Sequence, residues 1–396
     1  MEMDLDVKVK IMVVDDEVDL EPLVRQTFRR HIRSGEYDFV FAHNGLDALA
    51  KLIEYPDIGV ILSDINMPEM DGLTLLTKLK ELKNPSLKTV VVSAYGDMEN
   101  IRTAMNRGAF DFLTKPINFE DLEITINKTL EEIRLQRKAV IEHDQLISIQ
   151  RDLNVAREIQ KGILPQTFPP FPHRKEFDIF ASMVAAKEVG GDFYDFFLID
   201  NDRVGIVIGD VSGKGIPAAI FMAVSRTLIR ATGIKGMSPG ECLSYVNNLL
   251  CNESVSCMFV TVFYAILNTK TGEMEYANAG HNPPYILNNN GQYRILESLG
   301  DIVLGVYDGI EFKTGSTTIK PQEGILLYTD GVTEAFNTKG EEYTDDRLRN
   351  LLSAFENNDV EKVINAIVED VKLFSHRAPQ SDDITLLFLK YSGSQE

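Results

Sequence analysis

The chain has no surplus of positive charge. Against 60 Asp and Glu stand 40 Lys and Arg, a formal net charge of −20. Attraction to phosphate needs a positive face, so this balance argues against a general binder of nucleic acid or of an anionic membrane. Long apolar runs are missing too. No stretch approaches the roughly 18 uncharged apolar residues of a membrane span. The N-terminus, Met1 to Lys10, is charged and carries no apolar signal segment. Cysteine is scarce: Cys242, Cys251 and Cys257 form no CxxC pair and leave one over under any pairing. That usage suits reduced thiols in the cytoplasm and excludes a disulfide scaffold. What is present is enough apolar matter, 44% of 396 residues, for two or three ordinary globular cores.

The acidic surplus is uneven. Residues 1–125 hold 14 basic and 23 acidic side chains, residues 126–165 hold 7 and 6, and residues 166–396 hold 19 and 31. The near-neutral middle has one glycine, Gly162, no proline before Pro165, and many helix formers. It ends in Leu164-Pro165-Gln166-Thr167-Phe168-Pro169-Pro170-Phe171-Pro172, which stops a helix and stiffens the connection. The expected organisation is a domain over 1–125, a helical linker over 126–165 and a second domain over 166–396.

In the first domain, Lys10–Val14, Asp38–Ala42, Val60–Ser63, Thr89–Val92 and Phe110–Thr114 are strand candidates separated by helical patterns. Apolar strands alternating with helices predict a doubly wound parallel α/β sheet, with its site at the carboxyl ends of the strands. In the second domain, Arg203–Asp210, Phe259–Leu267, Glu273–Asn278 and Gly324–Asp330 read as strands. Pro217–Thr232, Pro239–Leu250, Asp345–Phe355 and Val360–Phe374 read as helices. That mixture predicts an α+β fold, an antiparallel β-sandwich flanked by helices.

Asp15-Asp16 follow the first predicted strand, Asp64 ends the third, Ser93 ends the fourth and Lys115 follows the fifth. Three carboxylates brought together repel unless a divalent cation or a lysine neutralises them, a pattern suited to phosphoryl transfer onto an aspartate. The words Val13-Val14-Asp15-Asp16-Glu17, Asp64-Ile65-Asn66-Met67-Pro68-Glu69-Met70-Asp71-Gly72, Ser93-Ala94-Tyr95 and Phe112-Leu113-Thr114-Lys115-Pro116 resemble the response-regulator receiver family over roughly residues 8–125. The resemblance implies that Asp64 accepts phosphate from a histidine kinase or phosphotransfer protein. It implies Mg²⁺ on Asp16, Asp64 and the Asn66 carbonyl with Asp15 in support. Ser93 and Lys115 are then expected on the phosphoryl oxygens, Phe112 as a switch aromatic, and Lys115–Pro116 as a cis bond.

Four further Asp-bearing words lie in the second domain: Glu188-Val189-Gly190-Gly191-Asp192-Phe193-Tyr194-Asp195, Gly209-Asp210-Val211-Ser212-Gly213-Lys214-Gly215, Tyr328-Thr329-Asp330-Gly331-Val332-Thr333-Glu334-Ala335 and Ser381-Asp382-Asp383-Ile384-Thr385. Glycines beside carboxylates allow close backbone approach, and an all-oxygen donor set favours Mg²⁺ or Mn²⁺ over Zn²⁺. Gly209 to Lys214 is not a P-loop, because the Gly-x4-Gly-Lys spacing is absent. Taken singly, each Asp-Gly pair reads as a turn.

Together these words, with Ala279-Gly280-His281-Asn282-Pro283-Pro284, resemble bacterial metal-dependent PPM-type serine/threonine phosphatases of the sporulation and sigma-factor-regulating branch, over about residues 170–392. The resemblance implies two Mn²⁺ or Mg²⁺, bridged by Asp210, with the Val211 carbonyl, Asp192, Asp330 and Asp382 completing the site and Asp383 adjacent. It implies a phosphoprotein substrate, an anti-sigma-factor antagonist of the STAS type. Ser212 stands where larger relatives carry a histidine acid. His281, with no partner spacing, is given a structural role. The other reading is a non-catalytic adaptor whose phosphatase-like domain binds a regulator under receiver control, and the intact four-Asp set argues against it.

In the linker, Leu135, Ala139, Glu142, Leu146, Ile149, Leu153, Ala156, Gln160 and Ile163 step by four and three. This heptad seam fits a dimeric coiled coil or a single helix laid on its own domain. A homodimer is expected because the stripe outlasts either domain's surface. A second stripe, Ile126, Leu130, Ile133 and Val140, precedes it.

Overall fold

The computed structural model describes residues 9–94, 97–253, 258–300, 302–355 and 359–393. Tyr95 of the serine-containing word, Cys257 and most of the charged N-terminal segment lie outside the described residues. The chain divides into two compact units, Met1–Ile149 and Gln150–Glu396.

The first unit runs β1 (Lys10–Val14), α1 (Leu20–Thr27), α2 (Arg29–Ser34), β2 (Asp38–Ala42), α3 (Gly45–Glu54), β3 (Ile58–Asp64), α4 (Gly72–Glu81), β4 (Lys88–Ala94), α5 (Met98–Arg107) and β5 (Asp111–Lys115). The strands form one parallel sheet in the order β2-β1-β3-β4-β5. Every residue of β3 is buried, as a strand covered on both faces requires. Asn44 and Asp71 start α3 and α4 by accepting the amides of Asp47 and Thr74. Helix α6 (Phe119–Ile163) follows and is continuous for 45 residues. Its Leu122, Ile126, Leu130 and Ile133 are buried in the core that contains Val24, Phe28 and Val60. Most of the second predicted stripe is therefore packing within this unit, and Val140 alone of it is exposed. The seam residues Leu135, Leu146 and Ile149 are exposed.

The second unit contains β6 (Phe177–Val184), β7 (Phe193–Leu198), β8 (Arg203–Val211), α7 (Ile216–Gly233), α8 (Pro239–Glu253), β9 (Val260–Asn268), β10 (Glu273–Ala279), β11 (Tyr285–Leu287), β12 (Tyr293–Ile295) and β13 (Gly315–Thr318). It ends with β14 (Gly324–Tyr328), α9 (Asp330–Thr333), α10 (Thr344–Leu352), α11 (Val360–Ser375) and β15 (Ile384–Tyr391). Two antiparallel sheets result, ordered β13-β10-β9-β8-β7 and β12-β11-β14-β15-β6. Alternation along the strands sorts the two faces. Ile325, Leu327, Leu387 and Leu389 join Ile206 and Ile208 in the core between the sheets. Leu326, Leu386 and Phe388 point the other way, onto Val363, Ile364 and Ile367 of α11.

One expected strand ends early. Gly324–Asp330 reads as continuous strand, but pairing stops at Tyr328 and Asp330 opens the short helix α9. The chain crosses the end of β15 so closely there that a Cβ on Gly331 would lie 1.9 Å from the Asp383 carbonyl oxygen.

Candidate functional site

The parallel sheet brings Asp15, Asp16 and Asp64 together, with one oxygen of each within 4.8 Å of the others. Asp15 and Asp64 are buried and Asp16 is exposed. Lys115, at the end of β5, reaches across the strand ends. Its Nζ lies 2.7 Å from Asp64 Oδ2, 3.1 Å from Asp15 Oδ2 and 3.0 Å from Glu17 Oε1. Burial works against the lysine's charge, but bonds to Asp64, Glu17 and Asp15 hold its pKa above the ordinary value. Burial raises the pKa of Asp15, opposed by the Glu17 amide and Lys115. Ser93 is fully buried and its hydroxyl has no hydrogen-bond partner. Such an orphan at the rim of an acidic cluster fits an oxyanion arriving from outside. Asn66 is exposed, and its amide lies 3.4 Å from Asp64 Oδ1. Phe112 is 38% exposed on β5, and the Lys115–Pro116 bond is cis. Three hard carboxylate oxygens at this spacing fit Mg²⁺.

In the second unit, the four Asp-bearing words gather at one end of the two sheets. Asp192 precedes β7, Asp210 and Val211 end β8, Asp330 opens α9 after β14, and Asp382-Asp383 precede β15. Asp192 is almost wholly buried, and its Oδ2 accepts the Thr329 hydroxyl at 2.7 Å. Burial and the charges of Asp210 and Asp383 push its carboxyl well above the usual range. Burial, then the Asp330 carboxylate, pushes Asp210 up to about 7. Asp330 is raised by burial and by Asp382. Carboxylates so disposed exclude their own charge unless a cation joins them, which makes the donor set fit divalent ions. The spacing is wider than in the first unit: among the described residues only the Asp15 cluster draws three such donors within 4.8 Å.

Asp382 and Asp383 play different parts. Asp383 is turned to the backbone, accepting Ala186 N–H at 2.8 Å and Gly191 N–H at 2.6 Å. Asp382 faces Lys214, whose Nζ lies 2.9 Å from Asp382 Oδ2 and also donates to the Ser381 carbonyl. The glycines serve close approach. A Cβ on Gly190 would lie 2.3 Å from Asp383 Oδ2, and one on Gly191 would lie 3.0 Å from the Val211 carbonyl oxygen. Ser212 Oγ accepts the Phe259 amide at 3.0 Å.

His281 is buried, and burial lowers its pKa to about 4. Nε2 lies 3.1 Å from the Tyr328 carbonyl and Nδ1 lies 2.9 Å from Thr261 Oγ1. A carbonyl can only accept, so Nε2 carries the proton and Nδ1 takes the threonine hydroxyl. Thr261 pairs with Asp210 across β9 and β8, so the imidazole ties one sheet to the other beside the carboxylates.

Sequence reasoning missed three groups. Lys214 stood inside a quoted word without a role. Asp195 closed another word, yet it is fully buried and held by Arg230 at 2.6 Å and Arg226 at 2.8 Å from α7. Gln160 read as a polar position in the heptad seam, but it is buried against Gly190.

Comparison with known proteins finds a different family in each unit. The family described as Response regulator receiver domain matches residues 11–127, and the family Stage II sporulation protein E (SpoIIE) matches residues 200–392. Protein IcfG of Synechocystis sp. is 32% identical over 263 residues, covering 60% of this chain and 41% of that protein. Phosphoserine phosphatase RsbU of Bacillus subtilis is 30% identical over 226 residues, covering 56% of this chain and 66% of that protein. The chain thus spans less than two thirds of the length of either. The SiaA-PP2C domain of Pseudomonas aeruginosa shares the fold, with a TM-score of 0.56 at 20% identity over 62% of this chain and 98% of that one. No helix among the described residues is long and apolar enough to cross a membrane. The N-terminal unit thus carries a response-regulator receiver domain and the C-terminal unit a SpoIIE PPM phosphatase domain.

Proposed function

We propose that the chain is a two-component response regulator whose output is metal-dependent dephosphorylation of phosphoserine or phosphothreonine on a partner protein, controlled by phosphorylation of Asp64. The observation that carries this reading is the convergence of Asp192, Asp210, Asp330 and Asp382 in surroundings that hold the first three carboxyls above their ordinary pKa. A scaffold has no use for so much mutual repulsion, which disfavours the adaptor reading.

In the receiver, residues 1–125, a histidine kinase or phosphotransfer protein passes its phosphoryl group to an Asp64 oxygen and recovers a free histidine. Asp15, Asp16, Asp64 and the Asn66 carbonyl hold Mg²⁺. Ser93 and Lys115 take the phosphoryl oxygens, and Phe112 responds as the switch aromatic. The unpartnered Ser93 hydroxyl and the Lys115–Asp64 contact support these roles.

In the phosphatase domain, residues 166–396, Asp210 in the shared position, with Asp192, the Val211 carbonyl, Asp330 and Asp382, would hold two Mn²⁺ or Mg²⁺. Bound there, the cations supply Lewis acidity toward the phosphoryl group and an activated water. Asp383 holds the Gly191 backbone and so keeps Asp192 in place. Ser212 stands where larger relatives carry a histidine acid, so the leaving group takes its proton from water or another group.

The substrate we infer is a STAS-type anti-sigma-factor antagonist; the name of the Bacillus relative, a phosphoserine phosphatase, supports the phosphoserine part of that reading alone. The linker, residues 126–165, pairs two copies through the exposed Leu135, Leu146 and Ile149. The setting is the cytoplasm, with neither nucleic acid nor membrane as partner. The test is Mn²⁺-dependent hydrolysis of p-nitrophenyl phosphate and a phosphoserine protein, with and without acetyl phosphate. Acetyl phosphate is expected to change the rate for wild type and not for Asp64→Ala. A response that survives in Asp64→Ala moves the control elsewhere.

A further inference from the structure

Lys214 follows β8 on a loop between Gly213 and Gly215, both at positive φ and with nothing within 4 Å of where a Cβ would stand. Its Nζ lies 2.9 Å from Asp382 Oδ2 and also donates to the Ser381 carbonyl. The other Asp382 oxygen, Oδ1, accepts the Asp383 amide at 2.9 Å, so Oδ2 is the oxygen left for a cation. Among the described residues, Lys214 is the one cation paired with any of Asp192, Asp210, Asp330 and Asp382. Its charge reaches beyond that pair. The Asp330 carboxyl is raised by burial and by Asp382 and lowered by Lys214. Glu334 is raised by burial and then by Asp330, and lowered by Lys214. The paired side chains of Lys214 and Asp382 are 39% and 34% exposed, so water screens their attraction and another cation can replace the lysine.

We infer that Lys214 is a resident counter-ion that competes with a divalent cation for Asp382: ammonium and metal claim the same carboxylate oxygen, and loading the site displaces the lysine. The inference rests on the reading of Asp382 as a metal-holding residue, and adds what the metal must displace there. An ammonium brings one charge to Asp382. A divalent cation brings two and draws on the neighbouring carboxylates as well, so it wins, but its net gain is reduced by the ion pair it breaks. The displaced ammonium has a place to go. The open space at Gly213 and Gly215 leaves the loop free to follow it, and Glu334 offers a second carboxylate. Lys214 thus raises the metal concentration at which the site fills, and removing its charge tightens metal binding.

The test follows hydrogen exchange of the segment Ser381–Thr385 in the full chain while Mn²⁺ is titrated, so Mn²⁺ at Asp64 does not enter the readout. Lys214→Met keeps an unbranched stem and removes the charge. It is expected to lower the Mn²⁺ midpoint for protection by roughly fivefold, the scale of a half-exposed ion pair. In EDTA the same variant is expected to exchange faster over this segment, because Asp382 has lost its partner. Lys214→Arg keeps the charge and is expected to stay within about twofold of wild type. A loosened fold raises the midpoint, so a fall cannot come from structural damage. An unchanged or raised midpoint in Lys214→Met, beside a protected wild type, overturns the competition alone. So does an equal fall in Lys214→Arg, which removes charge as the cause. Wild-type protein that shows no Mn²⁺-dependent protection overturns the metal reading of Asp382, and the competition with it.

Discussion

Lys115 Nζ sits 2.7 Å from Asp64 Oδ2, so the carboxylate proposed to receive phosphate is already paired with an ammonium that also reaches Asp15 and Glu17. Removing that ammonium leaves two buried carboxylates facing each other. Lys115→Ala should destabilise the metal-free first unit by about 2 kcal/mol. Mg²⁺ should restore more stability in the variant than in wild type, because the ion takes over the neutralisation. Thermal unfolding with EDTA and with Mg²⁺ measures both. Equal transitions in the two proteins under both conditions contradict the pairing.

Asp195 anchors α7 to β7 through two arginines while exposing none of its own surface. Asp195→Ala strands Arg226 and Arg230 beside a cavity and should cost about 3 kcal/mol. Urea unfolding checks the size, and a double-mutant cycle with Arg226→Ala should show strong coupling. Additive effects of the two substitutions would mean that the pair does not act as one unit.

His281 gives the second unit a pH dependence of known sign. Burial lowers the folded imidazole to about 4, while in the unfolded chain it titrates near about 6.5. Between these values the unfolded state binds a proton that the folded state refuses. Stability should therefore fall as pH drops from about 6.5 toward 4, by on the order of 3 kcal/mol, and gain nothing further from this group above pH 7. His281→Gln cannot take up that proton, so its stability should vary less with pH over the same window. Parallel curves for the two proteins would contradict a buried neutral imidazole.

Two glycines should respond oppositely to alanine. A Cβ on Gly331 would lie 1.9 Å from backbone, the Asp383 carbonyl oxygen, so Gly331→Ala should cost about 2–3 kcal/mol and disturb both Asp330 and Asp383. Gly162 is helical and exposed, and a Cβ there would meet nothing within 4 Å. Gly162→Ala should stabilise the helix end by roughly 0.5–1 kcal/mol. Thermal unfolding distinguishes the two, and a stabilised Gly331→Ala would refute the close approach of Gly331 to Asp383.

The first unit was largely legible in the sequence because its strands are buried on both faces and read as short apolar runs between helical patterns, as in Val60–Ser63 within β3. The second unit was legible only where a hairpin turn or a long run marked it, as at β9 and β10. Strand β13 is Gly315-Ser316-Thr317-Thr318, with no apolar residue to signal it, and the three-residue β11 and β12 are too short for periodicity. The carboxylate words stood out because glycine and aspartate patterns are local. Their supports were not, because those arise from contacts across the fold. Gln160 meets a residue 30 positions away and Thr329 meets Asp192 at a separation of 137. The end of β14 was misplaced for the same reason, since the turn at Asp330 is imposed by its crossing of β15.

The most direct test of the proposed activity is phosphate release from a phosphoserine protein by the purified chain in Mn²⁺, in EDTA, and with Asp210→Asn. The expected result is hydrolysis that requires the metal and falls by roughly a hundredfold or more in Asp210→Asn, with the fold retained. Hydrolysis that persists in EDTA, or an Asp210→Asn protein as active as wild type, would contradict a metal-dependent phosphatase centred on that carboxylate.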